Sequence, residues 1–463
     1  MTAITAVVNP ANEQIIDEIP VQGPEEVDLA VTASRAAGPA WREIAPADRA
    51  RLLRRVAAGV EERGEELARL ETANVGKPLA ESRDEVAMVA ETFYFYAGAV
   101  DKHRGSTVPV AGGVDMTFHE PLGVVGAIVP WNFPIAITSW KVAPALAAGN
   151  TVVVKPAEIT PLTALALAEL ALDAGIPEGV LQVVTGKGSI VGRGLVEHPE
   201  VAKVAFTGST EVGREVMARA AGTVKRVTLE LGGKSPSIVF ADADLERAAA
   251  ATPGGVFANA GQDCCARSRV LVQQEAFDDF VVLLETAVAD WTVGDPTHPA
   301  TRMGPLVSAA QKKTVESFLA PGMGEPDGGP VPVHLAGAVP DPPGYWFPPT
   351  LVAPAGREWR MAREEIFGPV AAVIPFDDEE DAVRLANDTP YGLSGSIWTR
   401  DGARALRVAR AVESGNLSVN SNSSVRVQTS FGGMKQSGLG RELGLEALDS
   451  YSEVKNVFVS TEP

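Results

Sequence analysis

The sequence predicts an α/β protein built on parallel sheets. Between residues 123 and 233, short apolar runs of strand length recur: "GVVGAIVP", "TVVVKP", "VLQVVTG", "KVAFTGS" and "RVTLELGG". Strands apolar on both sides belong to sheets covered on both faces. Between the second and third runs lies "PLTALALAELALDAGIP", an amphipathic helix. Strands alternating with helices read as βαβ units. The length, 463 residues, suggests about three domains at roughly 150 residues each.

Before the alternation begins, residues 46–76 read as one helix. Leu53, Val56, Val60 and Leu67 recur at helical spacing, with Pro46 near the start and Gly76 after the end. After Gly233 the pattern is looser. "RVLVQ", "VAAVIPF" and "SGSIWT" mark a second α/β domain. The stretch 320–350 is rich in Pro and Gly and reads as a surface excursion.

Composition narrows the function. A net charge of −19 argues against a nucleic-acid partner, which would call for a basic face. No apolar run is long enough to span a membrane. Two cysteines and no secretory leader pattern point to a reducing, cytoplasmic setting.

The cysteines stand side by side in "GQDCCARS", residues 261–268. A disulfide between neighbours closes almost no loop. Five histidines, none paired at ligand spacing, offer no metal set, so no metal is expected. That leaves a reactive thiol or two small buried residues. Other candidates sit at strand ends, where parallel sheets bind ligands. Gly186, Gly188 and Gly192 form one glycine-rich turn, and Gly208 to Gly213 form another. Each is either a tight turn or a phosphate cradle. Lys155 and Glu158 follow "TVVV" and offer an ammonium and a carboxylate to a ribose, or else to each other. In "PWNFP" two prolines fix the backbone around Asn132, whose amide is either structural or a donor to a developing oxyanion. Glu230 ends the apolar strand of "LELGGKSP", where burial should raise its pKa into the range of a general base.

Taken together, "PWNFP", "FTGSTEVG", "LELGGKSP", "FANAGQDC", "EIFGPV", "NDTPYGLSGSIW" and "FGGMKQSGLGRELG" resemble the aldehyde dehydrogenase superfamily, in that family's order and over nearly the whole chain. The resemblance implies an NAD-dependent, non-acylating enzyme acting on a small-molecule aldehyde, with NADP as a poorer alternative. It implies Cys264 as nucleophile, Asn132 as oxyanion donor, Glu230 as the base that activates water, and Lys141 with Glu442 as a proton relay. Cys265 would point elsewhere. Lys155 and Glu158 would hold the adenosine ribose, Gly208 and Ser209 the pyrophosphate. Ile128, Trp131 and Leu231 would flank the cofactor path, and Glu365 and Phe367 orient the nicotinamide. Phe133, Ile137, Trp140, Ala258, Asp263 and Val425 would line a substrate tunnel. The implied architecture is a Rossmann-like cofactor domain (1–105 and 122–232), a catalytic domain (233–436) and a small β bridging or oligomerisation element (106–121 and 437–463), in a homodimer or homotetramer. Two positions depart from the pattern: Ser430 stands where Pro is common, and "GNLSVNSNSS" replaces the more usual "GTVWVN". Three rival readings run against the residues present. An acylating enzyme has no use for Glu230, a silent relative should have lost one of the three reactive residues, and a cysteine hydrolase needs no cofactor elements.

Overall fold

The computed structural model describes residues 3–320, 331, 333–423 and 425–462. Two open α/β sheets form its body. The first has six strands in the order 438–439, 226–230, 201–207, 124–128, 151–155, 181–183. All pairs are parallel except the first. The chain lays its first three strands, from 124 to 183, in one direction. It then crosses back to place 201–207 on the other side of 124–128. That reversal opens a crevice beyond the carboxyl ends of these two neighbours, where open α/β sheets bind ligands.

The second sheet has seven strands in the order 335–336, 350–352, 370–376, 269–273, 236–239, 394–398, 416–419. It too is parallel apart from its first pair. Only residues 231–235 separate the last parallel strand of the first sheet from the opening strand of the second. A three-stranded antiparallel sheet pairs Ser452–Ser460 with Gly113–Pro121 and Thr107–Val110. The buried strands Val124–Ile128, Thr151–Lys155 and Pro236–Val239 are covered on both faces, as their unbroken apolar runs predict.

The long helix expected over 46–76 is instead two, Pro46–Glu62 and Gly64–Val75. Arg63 leaves the helical backbone at φ −95°, ψ 16°, and Gly64 starts the second helix. The apolar spacing carries across the break, so periodicity alone could not reveal it. The Pro- and Gly-rich stretch 321–330 lies outside the described residues.

One buried amide ties distant parts of the body together. Asn150 Oδ1 accepts from the Gly123 N–H at 3.0 Å, and its Nδ2 donates to the carbonyls of Ala145 at 3.1 Å and Tyr451 at 2.8 Å. The side chain sits between a helix end, the start of the strand Thr151–Lys155 and the turn leading into Ser452–Ser460. Removing it leaves buried backbone groups unpaired, at about 1–3 kcal/mol each. We expect Asn150→Ala to lower unfolding stability by about 2–4 kcal/mol, allowing for local relaxation. Urea denaturation checks this, and an unmoved midpoint would remove the tie's claimed weight.

Candidate active site

A cavity of about 720 Å³ opens at the crevice between the strands 124–128 and 201–207 and runs to Cys264. Twelve of the site residues implied by the resemblance line it: Ile128, Trp131, Asn132, Phe133, Ile137, Lys155, Gly208, Ser209, Leu231, Cys264, Glu365 and Phe367. Glu158 does not; it faces a neighbouring recess with Pro161, Thr185 and Gly186. Glu230, Lys141 and Glu442 lie behind the cavity wall, buried. Trp140, Ala258, Asp263 and Val425 are also outside the lining. Trp140 packs edge-on against Phe431 at 5.3 Å, and Val425 packs on the core that holds Cys265. Of the two glycine-rich turns, Gly188 and Gly192 reach the cavity, whereas Gly186 faces the recess.

The turn before Cys264 is strained. Asn259, Ala260 and Gly261 are consecutive residues with φ of 47°, 56° and 69°. Left-handed backbone disfavours side chains, so outside bonds must hold it. Asn132 and the turn exchange two: Asn132 Nδ2 donates to the Gln262 carbonyl at 2.8 Å, and Asn259 Nδ2 donates to the Asn132 carbonyl at 2.9 Å. Gln262 Nε2 closes the turn onto the Asn259 carbonyl at 3.0 Å, while its Oε1 accepts from the Val307 N–H at 2.9 Å. Glu81, from the helix Leu79–Ala99, accepts from the Asn259 N–H at 3.1 Å. At Gly261 a Cβ would meet the Gly368 carbonyl oxygen at 2.3 Å, so only glycine fits against that loop.

Cys264 is half-buried and Cys265 is buried in the core. Cys265 has not turned away altogether, since its sulfur, that of Cys264 and an Asp263 oxygen all lie within 4.8 Å of one another. A hydrogen bond with the Cys265 thiol, followed by burial, raises the Cys264 pKa well above its ordinary value. Asp263 has one oxygen turned back onto the Cys265 N–H at 2.8 Å. Asn132 carries two amide hydrogens, and the bond to Gln262 uses one; the other can serve an oxyanion.

Glu230 is buried at the strand end, and neither carboxylate oxygen has a hydrogen-bond partner among the described residues. Burial, then the nearby Glu442 charge, raises its pKa well above the usual range. At Gly432 a Cβ would meet Glu230 Oε1 at 2.7 Å. Lys141 pairs with Glu442 and donates to Thr207 Oγ1 at 2.8 Å.

The opposite end suits a dinucleotide. Ser209 caps the helix Thr210–Ala220 by accepting from the Val212 N–H, and Gly208, Ser209 and Val212 at this helix start line the cavity, where a helix N-terminus favours an anion. Burial lowers the Lys155 pKa to about 8. Trp131 and Phe367 meet edge-to-face at 5.1 Å. Glu365 accepts from the Gly233 N–H at 2.8 Å, and burial lifts its pKa to about 7. A Cβ at Gly232 would strike Glu365 Oε2 at 2.3 Å. A cavity of this size with few convergent polar groups is typical of a cofactor site. Gln311, Thr314 and Arg193 also line it and escaped the sequence reading. So did Glu81, which carries no motif and lies far from the turn in sequence.

The aldehyde dehydrogenase family profile matches residues 2–457. The chain is 43% identical over 460 residues to betaine aldehyde dehydrogenase of Mesorhizobium japonicum, covering 98% of this chain and 93% of that one. Among solved structures, an NAD⁺ complex of aldehyde dehydrogenase from Bacillus cereus aligns with a TM-score of 0.96 at 40% identity, covering 99% and 94%. Betaine aldehyde dehydrogenase from Staphylococcus aureus, also with NAD⁺, aligns with a TM-score of 0.96 at 37% identity, covering 100% and 92%.

The Glu81 contact can be probed directly. We expect Glu81→Ala to lower kcat by about ten-fold, equivalent to about 1.4 kcal/mol, while KM changes little. Glu81→Gln keeps an acceptor for the Asn259 N–H and should restore most of the rate. Wild-type turnover in Glu81→Ala would show that the turn holds its shape without this bond.

Proposed function

This chain belongs to the aldehyde dehydrogenase family, and we propose that it oxidises an aldehyde to a carboxylic acid with NAD, through a covalent intermediate on Cys264. The observation that carries this reading is the exchange between Asn132 and the nucleophile turn. It sets an amide donor beside Cys264, at the end of a cavity fit for a dinucleotide.

The Cys264 sulfur attacks the aldehyde carbon, and the new oxyanion is held by the Asn132 amide and the Cys264 backbone N–H. When bound, the oxidised cofactor supplies the hydride acceptor and a positive ring that favours thiolate over thiol. Loss of hydride leaves a thioester on Cys264. Glu230 then takes a proton from water, which attacks the thioester carbon, and the acid leaves as the thiolate is regenerated. Its raised pKa makes Glu230 a stronger base than an exposed carboxylate. The Lys141–Glu442 pair behind it gives the proton a way out. Lys155 and Glu158 take the adenosine ribose, and Gly208, Ser209 and the helix start take the pyrophosphate. Ile128 and Leu231 wall the path, and Glu365 with Phe367 and Trp131 seats the nicotinamide. Residues 1–105 with 122–232 act as the cofactor domain and 233–436 as the catalytic domain. The exposed apolar side chains of the antiparallel sheet, among them Phe118, Val454 and Phe458, make 106–121 and 437–463 the surface on which copies pair.

Phe133 and Ile137, which line the cavity, offer the aldehyde tail an apolar path, backed by Trp140. A panel of aldehydes assayed for NADH formation should favour medium-chain and aromatic members. A preference for cationic members would instead give Asp263 the role of reading the tail.

Because hydride transfer precedes hydrolysis, Glu230→Gln should release a burst of NADH and then stall. Mass spectrometry should find an acyl adduct on the Cys264 peptide. Normal steady-state turnover would pass the role of base to another group.

A 2′-phosphate on the ribose would meet the Glu158 carboxylate and lose a charged hydrogen bond of roughly 1.5–3 kcal/mol. NAD should therefore exceed NADP by about 10- to 100-fold in kcat/KM. Glu158→Ser should narrow that gap. Since Glu158 stands just outside the main cavity, an unmoved ratio in the variant would make Lys155 and the backbone the discriminators.

A further inference from the structure

The five histidines are scattered in sequence, but the fold brings two of them together. His103 follows the helix Leu79–Ala99, and His119 lies on the strand Gly113–Pro121. Their rings stand 3.7 Å apart between centroids, tilted by 42°. Asp449, on the short helix Leu445–Tyr451, places Oδ1 2.8 Å from His103 Nε2. Ligand atoms of all three residues lie within 4.8 Å of one another. Ser452 Oγ donates to the Leu448 carbonyl at 3.1 Å and so accepts from His119 Nδ1 at 3.3 Å, which leaves Nε2 of His119 as the lone-pair donor. A hydrogen bond on the far nitrogen is the usual support of a metal-ligating histidine. None of these residues lines the main cavity.

We propose that His103, His119 and Asp449 form a binding site for a divalent transition-metal cation of the zinc type. Two imidazoles and one carboxylate favour zinc, nickel, copper or cobalt over magnesium or calcium. Three protein ligands leave a position for water. A hydrogen-bonded His–Asp pair accounts for one imidazole, but it does not account for a second ring stacked on the first. A shared cation accounts for both, because each ring contributes a lone pair. The ion takes no part in the reaction. It joins the segment after one helix, a strand and the turn before Ser452–Ser460, which are held together only in the native state. Binding that is confined to the native state raises its stability.

The test uses the full-length protein with its thiols alkylated, since Asp263, Cys264 and Cys265 also bring donor atoms within 4.8 Å of one another. Calorimetric titration with Zn²⁺ should give one ion per chain and a higher Tm. His103→Gln and His119→Gln should each weaken binding by at least the roughly 10-fold that loss of a mere supporting group costs. In the wild-type protein, Zn²⁺ should protect the His103 and His119 peptides from diethylpyrocarbonate, while His198, His298 and His334 stay reactive. This last measurement decides the matter if a variant fails to fold. Unalkylated His103→Gln should keep its dehydrogenase rate. Absence of saturable binding, wild-type affinity in both variants, or protection of neither peptide would reduce the cluster to a hydrogen-bonded pair.

Discussion

The structure turns on the two hydrogen bonds exchanged between Asn132 and the turn 259–262. Asn132 follows a strand of one sheet, and the turn precedes a strand of the other. Each partner fixes what the other cannot. The proline-flanked backbone around Asn132 is stiff by covalent structure. The turn carries three left-handed residues in succession and depends on its surroundings. The same contact that steadies the Cys264 turn also orients the amide proposed to receive the oxyanion. In the proposed reaction, position and electrostatics therefore share a single mechanical origin.

Around this contact, burial keeps charge low. Lys155 and Glu365 are brought to about 8 and about 7, while Cys264 and Glu230 are driven well above their ordinary values. Each is shifted toward its neutral form, and a group so shifted responds strongly when an opposite charge arrives. Beside them Lys141 and Glu442 form a buried ion pair that bears on Glu230. The site thus combines groups that a ligand can polarise with a buried ion pair.

Much of this was legible in the sequence because the fold puts chemistry at strand ends. The apolar runs located the parallel sheets, and the residues just after them, Asn132, Lys155, Gly208 and Glu230, fell at or behind the crevice. Features that depend on contacts between distant segments stayed hidden. Glu81 lies on a helix with no motif and acts on a turn almost 180 residues later. The break at Arg63 preserves apolar spacing, so no pattern marks it. His103 and His119 do not stand at a ligand spacing and meet only because a hairpin returns past the end of a helix. Glu158 follows its strand as expected, but its side chain faces the recess next to the cavity.

The pairing of Gly438–Leu439 with the strand Arg226–Glu230 has a consequence for how the protein is made. Synthesis proceeds from the amino end, and domains ordinarily fold as they emerge. The first sheet cannot follow that order to completion, because its edge is supplied more than 200 residues after its neighbour. Glu442, the carboxylate that compensates buried Lys141, emerges three residues later still. Until then the growing chain lacks the partner of Lys141 and leaves an open edge on its sheet. A chain that stops short of this segment therefore lacks both the edge strand and the partner of a buried lysine, so the amino-terminal sheet is completed only when the carboxyl end arrives.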